Sequence, residues 1–138
     1  MPRINGGLRL GIAAACVLLV AAEAPKVAPT TLRALDGLQL GEWSLRDREP
    51  GSVPRRICVS DARQLLQTEH GQAQCRRFVV TDAPQNVVVT YDCGAAGSGR
   101  TDLRVETARL AQIQSQGIFG GAPFSRALEA RWVGPSCR

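Results

Sequence analysis

The sequence predicts a mainly β protein: a single antiparallel curved sheet or partly open barrel, a meander of about seven strands with one short helix between the second and third, preceded by a signal peptide. Three observations carry that reading. Across residues 101–116, Leu103 and Val105 alternate with Asp102, Arg104 and Glu106, and Ala111 and Ile113 alternate with Gln112, Gln114 and Gln116. Period two with one polar face is the mark of antiparallel strands wetted on one side. The other β-rich runs are separated by short Gly, Pro, Asn and Asp clusters, which are turn signals. The third observation is a shortage of large rings: only 6 of 138 residues are Phe, Trp or Tyr. A core built from Val, Leu, Ile and Ala is thin, and a small thin core calls for staples.

At 138 residues, 44% hydrophobic and 21% charged, the chain is about one domain's worth and neither disordered nor collagen-like. Arg3 and Arg9 precede an apolar run over residues 10–22, and Glu23, Pro25 and Lys26 close it. Charge, then an apolar stretch, then small residues is a secretory signal layout, and the run is shorter than the roughly 20 residues a membrane span needs. Cleavage is expected after Ala22, because Pro25 would obstruct the alternative cut after Ala24. Cys16, in Ala13-Ala14-Ala15-Cys16, poses a lipoprotein alternative. The expected organisation is residues 1–22 signal peptide, 23–34 linker and 35–138 β domain, in the periplasm or outside the cell.

The formal charge of +5 falls to +3 once Arg3 and Arg9 leave with the signal. Of 17 basic residues 16 are Arg, dispersed without a block, which reads as solvated strand faces and ion pairs. A weak attraction to anionic envelope lipid or polysaccharide is the sharper alternative. Nucleic acid is not an expected partner, since no aromatic stacking platform is visible.

Cys58, Cys75, Cys93 and Cys137 remain after export, an even number that reads as two disulfides in an oxidising compartment. No C-x-x-C pair exists to begin a zinc or redox site, and no cofactor or metal is expected. Of the three connectivities, Cys58 with Cys75 and Cys93 with Cys137 is favoured: the first closes the helical excursion, the second ties the chain end to the sheet.

The elements follow in order. Residues 30–40 carry Leu32, Leu35, Leu38 and Leu40, a short helix or an irregular lead-in. A strand is expected over 43–48, then a turn at Glu49-Pro50-Gly51-Ser52, then the returning strand 56–59. Ser60 is a suitable N-cap, Asp61 suits the first turn, and Ala62, Leu65 and Leu66 form one apolar stripe, giving a helix over about 61–69. Strands at 77–80 and 87–91 form a second hairpin. After the alternating pair within 101–116, a last strand over about 124–133 places Phe124, Leu128, Ala130 and Trp132 on one side.

These landmarks resemble a known family, the exported bacterial domain of unknown function numbered 3617. The resemblance rests on Leu40-Gly41-Glu42-Trp43, Arg56-Ile57-Cys58-Val59-Ser60, Cys75-Arg76-Arg77-Phe78, Tyr91-Asp92-Cys93, the turn over 94–99 and the terminal Gly134-Pro135-Ser136-Cys137. It spans nearly all of the mature chain. It implies a signal peptide, paired cysteines and a β-rich exported domain; the family has no established activity, so no catalytic residue is carried over.

Catalytic constellations are not visible. His70, the one histidine, sits at the expected helix end, where a polar cap is ordinary. The glycine-rich 94–99 segment is followed by neither Lys-Ser nor Lys-Thr and reads as a hairpin loop. Residues 117–121 read as another turn, whose Ile118 and Phe119 offer an exposed apolar contact for a membrane or ligand. Among Glu42, Asp47, Asp92, Asp102, Glu106 and Glu129 nothing in the spacing selects an acid/base pair. The expectation is therefore a monomeric, non-catalytic envelope protein that meets the membrane only through its signal. It binds either another envelope component or a small apolar ligand held by the inner face (Leu103, Val105, Ile113, Leu128, Trp132), with a carboxylate-dependent hydrolase as the rival.

Overall fold

The computed structural model describes residues 32–138; the signal segment, its cleavage position, Cys16 and most of the expected linker lie outside the described residues. Seven antiparallel strands form one sheet: β1 (Gly41–Asp47), β2 (Arg55–Val59), β3 (Arg76–Asp82), β4 (Asn86–Asp92), β5 (Gly97–Thr107), β6 (Leu110–Phe119) and β7 (Ala122–Gly134). Their order is β2-β1-β7-β6-β5-β4-β3. From β3 to β7 each strand folds back on its predecessor, and β7 then pairs with β1. The sheet curls without closing, leaving β2 and β3 as its two edges.

One face is buried by the alternation that the sequence displays. Val87, Val89, Leu103, Ala111, Ile113, Leu128 and Ala130 point inward with Trp43 and Leu45, all at most 3% exposed, while Val105 and Trp132 pack half-buried against them. Two segments fill the curl. Leu32, Ala34, Leu35 and Leu38, from an irregular turn rather than a helix, join the core. Gln39 N–H donates to the Ala108 carbonyl, placing that turn beneath the β5–β6 connection. Leu32 and Ala34 thus belong to the packed domain and not to a linker.

The second filler is the β2–β3 connection, which contributes Leu65 and Leu66, both fully buried. The helix expected over 61–69 is a 3₁₀ turn, Ala62–Leu66. Its cap is Asp61, not Ser60: the Asp61 carboxylate accepts from Arg63 N–H, and the Gln64 side chain accepts from the Asp61 and Ser60 N–H groups. Successive bonds from Gln64 to Asp61, Gln67 to Gln64 and His70 to Gln67 keep the segment in three-residue steps. Such tight turns suit a chain that must pass from one edge strand to the other and bury two leucines in five residues. The Leu66 carbonyl accepts from Thr101 Oγ1 at 2.7 Å, so the connection is bonded to the middle of β5.

Both disulfides form, with a connectivity different from the favoured one: Cys58 joins Cys137 and Cys75 joins Cys93. The register explains it. Cys58 lies beside Glu42, level with Gly134 at the end of β7. Cys75 precedes Arg76, which faces Asp92, and so stands opposite Cys93 near the level where β7 begins. Cys58 and Cys75 therefore lie toward opposite ends of the sheet, whereas a disulfide tolerates only about 7 Å between Cα atoms. Each staple instead secures one edge strand, which has a single ladder to hold it.

Candidate functional site

At the end of the sheet where β6 turns into β7, the chain concentrates its scarce rings. The turn is shorter than the sequence suggests: β6 continues through Ile118 and Phe119, and only Gly120 and Gly121, both at positive φ, make the reversal. Two left-handed residues are what a two-residue hairpin of matching twist requires. Ile118 is 42% exposed and Phe119 51%. They are strand residues at the rim, not the tip of a loose loop.

Beneath them lies His70, only 5% exposed. The 3₁₀ steps after Asp61 carry it to this end of the sheet. Nε2 is 3.0 Å from the Ile118 carbonyl and Nδ1 is 3.2 Å from the Tyr91 hydroxyl. A carbonyl only accepts, so Nε2 carries a proton and donates, and in the neutral ring Nδ1 accepts from Tyr91. Tyr91, Phe119 and Phe124 present edge contacts to the imidazole at centroid distances of 5.2, 5.3 and 5.8 Å. Burial pushes the Tyr91 phenol up from its ordinary range. The histidine is a structural bridge between the β2–β3 connection and the sheet.

Glycines make room for these rings. The segment 97–99, expected as part of a loop, is the start of β5. A Cβ on Gly97 would meet the Ile118 carbonyl and His70 Nε2, and one on Gly99 would meet the Tyr91 ring. A glycine inside a strand marks such a close approach.

Against this cluster lies an open groove of about 610 Å³. Phe78, Tyr91, Ile118 and Phe124 supply its apolar wall, and Asp92 and Arg100 are among its polar lining. Phe78 is 56% exposed. The Arg76 guanidinium lies 5.9 Å from the Phe78 ring centroid and 3.6 Å from the Asp92 carboxylate. Tyr91, Phe119 and Phe124 thus gather around His70, and Tyr91 and Phe124 also join Phe78 in the groove wall, so that β3, β4, β6, β7 and the β2–β3 connection all contribute at this end of the sheet.

The carboxylates named from sequence do not converge. Glu42 pairs with Arg56 at 2.8 Å, Glu106 with Arg104 at 2.9 Å, Glu129 with Arg131 at 2.6 Å and Asp92 with Arg76. Asp102 accepts from the Asn86 amide and Asp47 from Glu49 N–H. The Arg131 hydrogen bond holds the Glu129 carboxyl below its usual range. Glu69, which the sequence reading passed over, sits between Arg55 at 3.0 Å and Arg126 at 3.7 Å. Among the described residues no group of three His, Cys, Asp or Glu side chains is placed to hold a metal, and no helix is long and apolar enough to cross a membrane.

Of the residues singled out from sequence, then, Ile118 belongs to the groove and Phe119 to the ring cluster behind it, while the four cysteines are structural. Phe78, Tyr91 and Phe124 were missed as site residues. Their rarity was the available signal; their convergence depends on strand register. Compared with models of known protein families, with curated proteins and with solved structures, the chain matches none.

Proposed function

We propose that this chain is an exported, non-catalytic binding module of the bacterial envelope whose ligand surface is the groove between Phe78, Ile118 and Phe124. The observation that carries the reading is the gathering of four of the six aromatic residues at one end of the sheet, with Phe78 and Ile118 left open to solvent. An apolar wall with a few charged groups beside it is the usual make-up of a site for an amphipathic molecule. Arg100 supplies a cation for an anionic headgroup, and the ring wall accepts an acyl or aromatic moiety. The two disulfides fit an oxidising compartment; the charged, apolar, small-residue order of residues 1–22 supports the periplasm or the exterior. The ordered landmarks from Leu40 to Cys137 support placement in exported domain family 3617.

A ligand inside the curl has less support, because Leu103, Ile113 and Leu128 are packed core. The hydrolase alternative needs two carboxylates facing a common space, and four of the six named pair with arginine instead.

Titration with lysophosphatidylglycerol below its micelle concentration, followed by amide chemical shifts, tests the reading. Perturbations centred on Phe78, Arg100 and Ile118 are expected, with at least about tenfold weaker binding in Phe78→Ser, the loss of roughly 1.4 kcal/mol. Shifts centred elsewhere, or none, would overturn it.

A further inference from the structure

β3 ends the sheet with an unpaired side, and its sequence, Arg76-Arg77-Phe78-Val79-Val80-Thr81-Asp82, is complementary to itself. We infer that this edge pairs with the same edge of a second copy, giving a two-fold symmetric dimer with Val79 on the axis. In that antiparallel register Arg76 of each copy faces Asp82 of the other, Arg77 faces Thr81, and Phe78 faces Val80. Opposite charges meet at both ends and apolar side chains meet in the middle, which is the arrangement an isologous contact demands.

The edge is open for it. Phe78, Val79 and Val80 are 56%, 46% and 55% exposed, and the Arg76 side chain 79%. Among the described residues β4 is the only strand beside β3; on the far side the Arg33 guanidinium donates to the Asp82 carbonyl, at the very end of the strand. Exposed edges are normally blunted by proline, by inward or central charge, or by a bulge. β3 has no proline and carries charge only toward its ends; of these devices it has one, a bulge in its ladder to β4 between Val79 and Thr81, which the paired edge would have to accommodate beside the axis. Arg33 N–H donates to Asp82 Oδ1 and the Arg33 guanidinium pairs with Oδ2 at 3.9 Å, so Arg76 of the second copy would share this carboxylate with Arg33. β2, the other edge, is a poorer template: it is five residues long, and its charges, Arg55 and Arg56, would face Val59 and Cys58 with no carboxylate in the strand to meet them.

The inference stands apart from the groove reading, although Phe78 links the two surfaces: pairing along β3 places the two grooves side by side on one face of a continuous sheet.

Sedimentation velocity of the oxidised protein over a range of concentrations tests it. The weight-average mass is expected to rise twofold from monomer to dimer. Val79→Lys sets two ammonium groups together on the axis and is expected to abolish the rise. Arg76→Asp is expected to weaken association at least about tenfold, and adding Asp82→Arg in the same chain to restore it by reversing both partners. Far-UV circular dichroism identifies any variant that fails to fold; exposed Arg76→Asp then carries the test alone. A mass that stays monomeric at every concentration overturns the inference, and so does a dimer that is indifferent to both Val79→Lys and Arg76→Asp.

Discussion

Removing the Cys58–Cys137 disulfide is expected to cost more stability than removing Cys75–Cys93, although Cys58 and Cys137 are exposed while Cys75 and Cys93 pack partly buried against the core. The sequence separations are 79 and 18. Chain-entropy reasoning gives about 4.5 kcal/mol for closing a loop of the first size and about 3 kcal/mol for the second. Since a domain of this length is stable by roughly 5–15 kcal/mol in total, the first loss brings the fold close to its limit. Structure adds a local signature. Without its staple, β2 is held by a five-pair ladder to β1 and by the Arg56–Glu42 ion pair, and the segment after Gly134 is released. Urea unfolding of Cys58→Ser/Cys137→Ser and Cys75→Ser/Cys93→Ser, with hydrogen exchange read strand by strand, provides the comparison. Faster exchange is expected first in β2 for the former and in β3 for the latter. Equal costs, a larger cost for the shorter loop, or uniform exchange across all seven strands would refute the argument.

Three further expectations follow from the ring cluster and the β2–β3 connection. His70→Leu leaves the buried Tyr91 hydroxyl without its imidazole partner, at about 1–3 kcal/mol, and takes a donor from the part-buried Ile118 carbonyl; calorimetry should show a melting temperature lower by roughly 5 °C or more. Tyr91 has a raised pKa from burial, so its contribution is whole below the ordinary tyrosine range and is lost as pH rises through the folded value. Stability should therefore fall above about pH 10, and Tyr91→Phe should flatten that limb of a pH–stability curve. Asp61 has a lowered pKa, chiefly from its hydrogen bond to the Arg63 side chain, so its cap is fully present above about pH 4 and lost as pH falls. Asp61→Ala should cost about 1 kcal/mol at neutral pH and nothing additional in acid, as denaturant midpoints at both pH values would show.

Local chemistry made much of this architecture readable. Alternation across 101–116 located β5 and β6 and assigned their buried sides, because side-chain period and sheet face are the same quantity. Pro50-Gly51 and the 83–86 cluster located two turns. What escaped was set by distance in the chain. Gly97 and Gly99 look like loop residues until Tyr91 and His70 are seen to occupy the space their side chains would need. The 61–69 stripe has helical spacing, but the Leu66 carbonyl is taken by Thr101, and the chain steps on in threes. The cysteine pairing turned on which ends of β2 and β3 lie together, and the groove turned on the same register. Ile118 and Phe119 were legible as exposed apolar residues; Phe78, from a strand 40 residues earlier, was not legible as Ile118's neighbour.

The most direct test of the binding surface is native mass spectrometry of the protein recovered from its own envelope, beside a Phe78→Ser/Ile118→Ser double variant prepared identically. Phe78 is 56% and Ile118 42% exposed, so the double variant should keep its fold at a cost of about 2 kcal/mol for the apolar surface that is covered. The natural chain is expected to carry an amphipathic adduct that the variant lacks. A bare natural chain, or an adduct retained in equal amount by the variant, would contradict the assignment of the groove.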